Sequence, residues 1–192
     1  MSFIATVDHD AAEGAVAELY AGDTAAFGFL PNLTRAFSLR PEVYAAWKQL
    51  SGAVRDGMDL RRYELATLAA ARELRSSYCS LAHGEILARR FLSPATVAAL
   101  DGDELTDAER LVVAFAAKVA RDAPSVTQAD VDALREVGLT DADVLDVVLT
   151  VSIRCFFSTV LDATGTAPDA RFAGDLEPAL RDALTVGRPI AQ

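Results

Sequence analysis

Apolar residues recur at helical spacing along most of the chain, which places them on one face of an α-helix. Proline, serine, threonine, aspartate and glycine interrupt this pattern at intervals, as helix starts and stops do. The pattern predicts helices over 11–20, 31–38, 41–56, 94–100, 106–121, 128–137, 140–162 and 177–184, and a further pair between 59 and 91. No segment alternates convincingly as a β-strand does, so the predicted fold class is all-α.

Cap residues support these boundaries. Thr106–Glu109 and Thr140–Asp143 are capping boxes that predict helix starts, and Gly22 is a typical stop for the first helix. We predict a single domain spanning all 192 residues. Within it, a helix–loop–helix unit around 41–91 precedes another around 106–162, an order that suits two lobes.

The charge balance excludes some partners. The chain has 28 acidic and 18 basic residues, a formal net charge of −10, so a phosphate-binding surface for nucleic acid is not expected. The first residues, MSFIATVDHD, lack the basic and apolar regions of a secretory signal. With only Cys79 and Cys155, and no disulfide framework or metal-ligand spacing, we predict a reducing cytoplasmic location and no metal or cofactor.

The most apolar segment is 144–161. Asp146 and Arg154 interrupt it, so we interpret it as a core helix and predict no membrane span. It is apolar on nearly every side, more than the surface helix of a monomer needs. Burial inside a homo-oligomer would explain this excess.

Candidate chemistry is concentrated in Tyr63–Phe91, YELATLAAARELRSSYCSLAHGEILARRF. Cys79 and His83 are four residues apart and share a helix face. Ser76 and Ser77 are good N-cap residues, which places Cys79 in the first turn of a helix, where free N–H groups and the helix dipole favour a thiolate.

The other two reactive groups can move protons. His83, one turn after the cysteine, can accept or relay the thiol proton. Glu64 lies among leucine and alanine residues, and a partly buried carboxyl group suits proton transfer. Each residue also has a structural explanation: Cys79 as a small core residue, His83 bonded to a backbone carbonyl, and Glu64 paired with a neighbouring arginine.

The glutamate, the cysteine and the histidine at these spacings resemble the signature of the AhpD-like alkylhydroperoxidase and carboxymuconolactone decarboxylase superfamily. The segment Phe27–Trp47, FGFLPNLTRAFSLRPEVYAAW, is similar to that of its peroxidase-related branch. The resemblance implies an AhpD-like helical fold, with a central helix pair carrying the site, and assembly as a dimer, trimer or hexamer. One departure matters: Ser76 stands where active relatives have the first, resolving cysteine of a C-x-x-C pair.

The resemblance assigns Cys79 as the peroxide-attacking cysteine, with Glu64 and His83 as its proton relay. It therefore predicts a one-cysteine hydroperoxide reductase with an antioxidant role. Without a resolving thiol, an external thiol must reduce the oxidised cysteine, and the apolar surroundings favour organic hydroperoxides. Ser76 is expected to cap its helix or to hydrogen-bond the Cys79 sulfur, and Tyr78 to pack at the mouth of the site.

Two other functions fit the same residues. In the carboxymuconolactone decarboxylase branch, acid–base chemistry acts on a small carboxylated lactone, and Cys79 would be incidental. A non-catalytic helical oligomer, or a sensor of redox state or of a ligand, would explain the loss of the resolving thiol. An intact Glu64–His83–Cys79 cluster around a pocket would count against a degenerate site. Cys155 is expected in the core, with a distant resolving role disfavoured, and His9 is expected at the surface.

Overall fold

The computed structural model describes residues 2–192, in which eleven α-helices and two 3₁₀ turns connect through short loops. The all-α prediction is confirmed, since no strand occurs in that range. The helices are α1 (Gly14–Phe27), α2 (Asn32–Ala36), α3 (Pro41–Asp56), α4 (Leu60–Glu73), α5 (Ser77–Arg90), α6 (Pro94–Ala99), α7 (Asp107–Asp122), α8 (Gln128–Glu136), α9 (Asp141–Ala163), α10 (Phe172–Asp175) and α11 (Pro178–Leu184).

Helix α4 is the centre of the packing. It contacts α5, α7 and α9, and every side chain from 63 to 71 is buried. Four of these are alanines, whose small side chains let the neighbouring helices approach closely (Ala66, Ala69, Ala70 and Ala71). The helix begins where predicted, because the Asp59 carboxylate accepts a hydrogen bond from the Arg62 N–H.

A tight turn joins α4 to α5 and aims the start of α5 at the core. Arg75 adopts a left-handed conformation (φ 55°). The C-terminal segment lies against this turn, where the N–H of Gly187 donates to the Ser77 hydroxyl at 2.8 Å. A Cβ at Gly187 would overlap the carbonyl oxygen of Arg75, so this close approach requires glycine.

Helix α9 has two different sides. By length and composition it could cross a membrane, but half of its most apolar window is buried within the fold, as in a core helix. It packs against α3, α4, α5 and α7. The opposite side leaves Leu145, Leu149 and Phe156 exposed.

The predicted caps at Thr106 and Thr140 form complete capping boxes. The prediction that Gly22 ends the first helix is wrong, because α1 continues to Phe27 and ends at Gly28, which is left-handed (φ 80°). Tertiary contacts explain the longer helix: the buried Asp23 carboxylate accepts hydrogen bonds from side chains of α2 and α3. The short α10 and the 3₁₀ turns at 9–11 and 123–125 were not predicted.

Candidate active site

Helices α1 to α5 and α9 enclose a cavity of about 580 Å³. The three residues of the predicted site, Glu64, Cys79 and His83, all line it, each from the central pair α4 and α5. Arg154 and aromatic side chains of α3 and α9 complete the wall. The structure therefore brings the predicted residues together and adds others from helices distant in sequence.

Cys79 lies in the first turn of α5 and is 2% exposed. Its sulfur accepts a hydrogen bond from the Ser158 hydroxyl at 3.2 Å and another from Arg154 Nη1 at 3.4 Å. Both donors are on α9, four residues apart, and so share the helix face that packs on α5. A cation and a hydroxyl donor at this distance stabilise a thiolate.

Arg154 is buried, with 3% of its surface exposed. Burial opposes its charge, but Coulomb interactions with Cys79, Tyr63 and Glu64 outweigh burial and raise the pKa of Arg154. A buried cation is costly without compensation, so its place beside the sulfur needs an explanation beyond packing. The role of Arg154 was not predicted, although an arginine within the most apolar helix is unusual.

Glu64 and His83 form a buried pair. His83 Nδ1 lies 2.5 Å from Glu64 Oε2. Burial lowers the pKa of His83, and the charge of Arg154 lowers it further against the opposing effect of Glu64. Burial thus favours the neutral form of the imidazole. Neighbouring arginines do not bind Glu64, since Arg61 pairs with Glu109 and Arg62 with Asp143.

Ser76 does not do what was predicted for it. It stands at the N-cap of α5, but its side chain caps no N–H group and makes no hydrogen bond with Cys79. Its hydroxyl is buried near the Asp162 carboxyl of α9, whose pKa it lowers against the larger, opposing effect of burial. The sulfur is contacted from α9 by Ser158 and Arg154 instead.

Tyr78 lines the cavity and is buried. Its hydroxyl donates to Asp169 and accepts a hydrogen bond from the Leu33 N–H at 3.2 Å. Burial, together with the charge of Asp169, raises the pKa of Tyr78 well above its ordinary value. Tyr78 therefore ties α5 to α2 and to the loop before α10.

An aromatic stack forms one wall of the cavity. The rings of Trp47 and Phe157 lie 4.0 Å apart between centroids, and Tyr44 stacks on Trp47 at 5.9 Å. These rings join α3 to α9 beside the sulfur. Because the rings stack on one another, the wall contributes apolar surface to the lining of the cavity but no large free ring face.

The other candidate residues lie elsewhere. Cys155 is half-buried among the apolar side chains around α4, α7 and α9 and does not line the cavity. Burial raises the pKa of Cys155, which disfavours its thiolate form. His9 is exposed, as predicted. Across residues 2–192, no group of three or more histidine, cysteine or acidic side chains could hold a metal ion.

No family model matches the chain, and no curated protein matches it. Several solved structures match the chain. An uncharacterized peroxidase-related protein with an alkylhydroperoxidase AhpD core, from Ralstonia eutropha JMP134, is 24% identical with a TM-score of 0.77, covering 89% of this chain and 94% of its own. A second peroxidase-related protein, from Silicibacter sp. TM1040, is 20% identical with a TM-score of 0.73, covering 90% and 91%.

The debrominase Bmp8 is a third neighbour, seen as a cysteine-to-alanine variant in complex with 2,3,4-tribromopyrrole. It is 17% identical with a TM-score of 0.67, covering 87% of this chain and 88% of its own. These likenesses extend over nearly the whole length of each chain. They show that the chain has the AhpD-like fold.

Proposed function

We propose that this chain, on its AhpD-like fold, is a one-cysteine peroxidase that reduces organic hydroperoxides through Cys79. The observation that carries the proposal is the setting of the sulfur, which accepts hydrogen bonds from Arg154 and Ser158 inside a cavity that also contains the Glu64–His83 pair. An abandoned site would have no reason to keep a buried cation against a thiol. The peroxidase-related neighbours are consistent with this assignment.

Oxidation of Cys79 requires only the side chains of the site and one molecule of hydroperoxide. His83, neutral and bonded to Glu64, takes the thiol proton, directly or through the bound substrate. The Cys79 thiolate attacks the terminal oxygen of R–O–O–H, so an S–O bond forms as the O–O bond breaks. The proton passes to the leaving alkoxide. Cys79 is oxidised to the sulfenic acid and the hydroperoxide is reduced to the alcohol.

Recycling requires an external thiol. Ser76 cannot form a disulfide, and Cys155 lies outside the cavity. One external thiol would condense with the sulfenic acid, releasing water and forming a mixed disulfide, and a second would release Cys79 as the thiol. The external thiol is thereby oxidised to its disulfide.

Reductive debromination of an aromatic ring is a second candidate function. Bmp8 is named a debrominase, and the cavity here combines aromatic side chains with the cysteine. In this reaction the Cys79 thiolate would take bromine as Br⁺ while the ring carbon takes a proton. An external thiol would then displace bromide from the sulfur.

Mass spectrometry with a sulfenic-acid trap tests the first function. The chain is exposed briefly to cumene hydroperoxide with dimedone present, and we expect the adduct on Cys79 and not on Cys155. The variant E64Q keeps the shape of the glutamate but removes its charge, and we expect trapping to slow by about 100-fold or more, the usual size of an acid–base contribution.

The two functions give different products. Consumption of cumene hydroperoxide in the presence of dithiothreitol supports the peroxidase, whereas bromide release from 2,3,4-tribromopyrrole, followed by ion chromatography, supports the debrominase. A folded protein whose Cys79 gives no adduct and releases no bromide would exclude both. The acid–base or non-catalytic alternatives would then remain.

A further inference from the structure

We infer that the hydroperoxide and the reducing thiol both reach Cys79 through a gap between α1 and α3, which Gly22 and Gly52 keep open. The reductant is therefore a small thiol and not a cysteine of a folded protein. This inference rests on the proposed function, because it names the route into the same cavity and the class of the second substrate.

The cavity has a buried end and an open end. Cys79 and Glu64 line the buried end, where each is almost completely enclosed. The lining residues that are exposed to solvent all belong to α1 and α3 (Gly22, Ala26, Phe27, Lys48 and Arg55). The entrance of the cavity therefore lies between these two helices.

Gly22 and Gly52 lie on the helix faces that line the cavity. On α3 the lining residues are 44, 47, 48, 51, 52 and 55, and on α1 they are 22, 23, 26 and 27. Both sets have the spacing of one side of a helix. A side chain at either glycine would therefore project toward the entrance.

Neither glycine is explained by packing or by backbone conformation. Glycine inside a helix is unfavourable relative to alanine, because more conformational freedom is lost on folding. Gly84 of α5 has a packing reason, since a Cβ there would lie 2.5 Å from Leu184. A Cβ at Gly22 or Gly52 would meet nothing within 4 Å, and neither residue has a positive φ. What the two share is their place at the entrance.

The helices on either side of the entrance are tied together. The buried Asp23 of α1 accepts hydrogen bonds from Thr34 at 2.6 Å and from Lys48 of α3 at 2.9 Å. These bonds oppose separation of α1 from α3. The entrance is therefore a gap of side-chain width between two fixed helices.

The surroundings of Cys79 exclude a large reductant. A disulfide between two protein cysteines requires their Cα atoms to lie within about 7 Å of each other. Every residue from 76 to 81 is buried, so the backbone of a second folded chain cannot come that close. A small thiol carries no such backbone, and the cavity volume of about 580 Å³ accommodates it.

Alkylation of Cys79 tests the entrance without any hydroperoxide. N-methylmaleimide and N-benzylmaleimide have the same reactive group and differ in size. In Gly52→Leu, the rate with the benzyl reagent relative to the methyl reagent should fall by about tenfold or more, the cost of overpacking by one large side chain. Ala53→Leu adds the same side chain to an exposed neighbour outside the cavity and should leave this ratio unchanged.

Gly22→Leu repeats the test from the α1 side, with the exposed Ala25→Leu as its control. Leucine is a good helix former, and circular dichroism checks that each variant is folded. An unchanged ratio in either folded glycine variant would overturn the inference. So would a Cys79 that neither maleimide modifies in the unchanged protein.

The class of the reductant is tested on Cys79 oxidised with one equivalent of cumene hydroperoxide. At equal thiol concentration, glutathione should restore the Cys79 thiol about tenfold or more faster than reduced thioredoxin, although thioredoxin is the more reducing of the two. Equal or faster reduction by thioredoxin would overturn the assignment of a small thiol. Failure of the proposed function looks different, because the maleimide ratio would fall as expected while cumene hydroperoxide gave no sulfenic acid on Cys79.

Discussion

The two cysteines of this chain have opposite surroundings. Cys79 is the more buried, yet its sulfur contacts a guanidinium and a hydroxyl. Cys155 is less buried, but it packs among apolar side chains, and burial raises its pKa. Cys155 directly follows Arg154 in the sequence of α9. The guanidinium of Arg154 nevertheless donates its hydrogen bond to Cys79.

The two thiols therefore differ in their contacts as well as in their burial. Burial among apolar side chains raises the pKa of Cys155, whereas a guanidinium and a hydroxyl donate hydrogen bonds to the sulfur of Cys79. Helix α9 serves both environments, because residues 154 and 158 face α5 while residue 155 faces away. Four sets of experiments test this difference between the two thiols.

The largest effect is expected when Cys79 is replaced by serine, with the same replacement of Cys155 as the comparison. Cys79→Ser removes the nucleophile, so kcat/KM for cumene hydroperoxide should fall by about 10³-fold or more. Cys155→Ser changes a thiol outside the cavity and should leave kcat/KM within about twofold. Hydroperoxide consumption with dithiothreitol as reductant measures both. Equal losses in the two variants would mean that the two sites are not distinct.

Without the guanidinium of Arg154, the reactivity of Cys79 should become closer to that of Cys155. In Arg154→Met, alkylation of Cys79 by iodoacetamide at pH 7.5 should slow by about 10- to 100-fold, the range of a charge-assisted hydrogen bond. Mass spectrometry follows each cysteine, with Cys155 as the internal standard, and circular dichroism checks folding. An unchanged rate at Cys79 in folded protein would show that Arg154 does not activate it.

The region around Cys79 should also respond to pH. Because burial lowers the pKa of His83, the unfolded chain binds its proton first, near pH 6.5. The stability due to neutral His83 is therefore complete above pH 6.5 and is lost as the pH falls below it, by up to about 1.4 kcal/mol per pH unit. Urea denaturation at several pH values between 7.5 and 5 gives the free energy of unfolding. Its decrease per pH unit should be smaller in His83→Asn than in the unchanged protein. Equal pH dependence of the free energy of unfolding in the two proteins would mean that folding does not lower the pKa of His83.

The smallest effect is expected at the neutral donor. Ser158→Ala removes one uncharged hydrogen bond to the sulfur and should slow alkylation of Cys79 by about two- to tenfold. The variant Ser152→Ala, on the exposed side of α9, is the matched control and should not change the rate. A decrease in the alkylation rate as large as that in Arg154→Met would show that Ser158 also positions the arginine.

Much of the fold followed from local patterns. Capping boxes at Thr106 and Thr140 marked helix starts correctly, because a cap is an interaction between residues three apart. The position of Ser76 before α5 was correct for the same reason, but the contacts of its hydroxyl were not. The end of α1 was wrong because Asp23 is held by side chains from other helices.

Spacing along the chain predicted most of the helices and the shared face of Cys79 and His83, because residues four apart lie on one side of a helix. The central helix pair that also carries Glu64 was implied by the resemblance to the AhpD-like superfamily. What contacts the sulfur depends on tertiary packing. Arg154 and Ser158 reach it across an interface between α5 and α9, 75 and 79 residues along the chain. Such contacts depend on how the faces of helices pack, and local spacing carries no information about which distant face comes opposite.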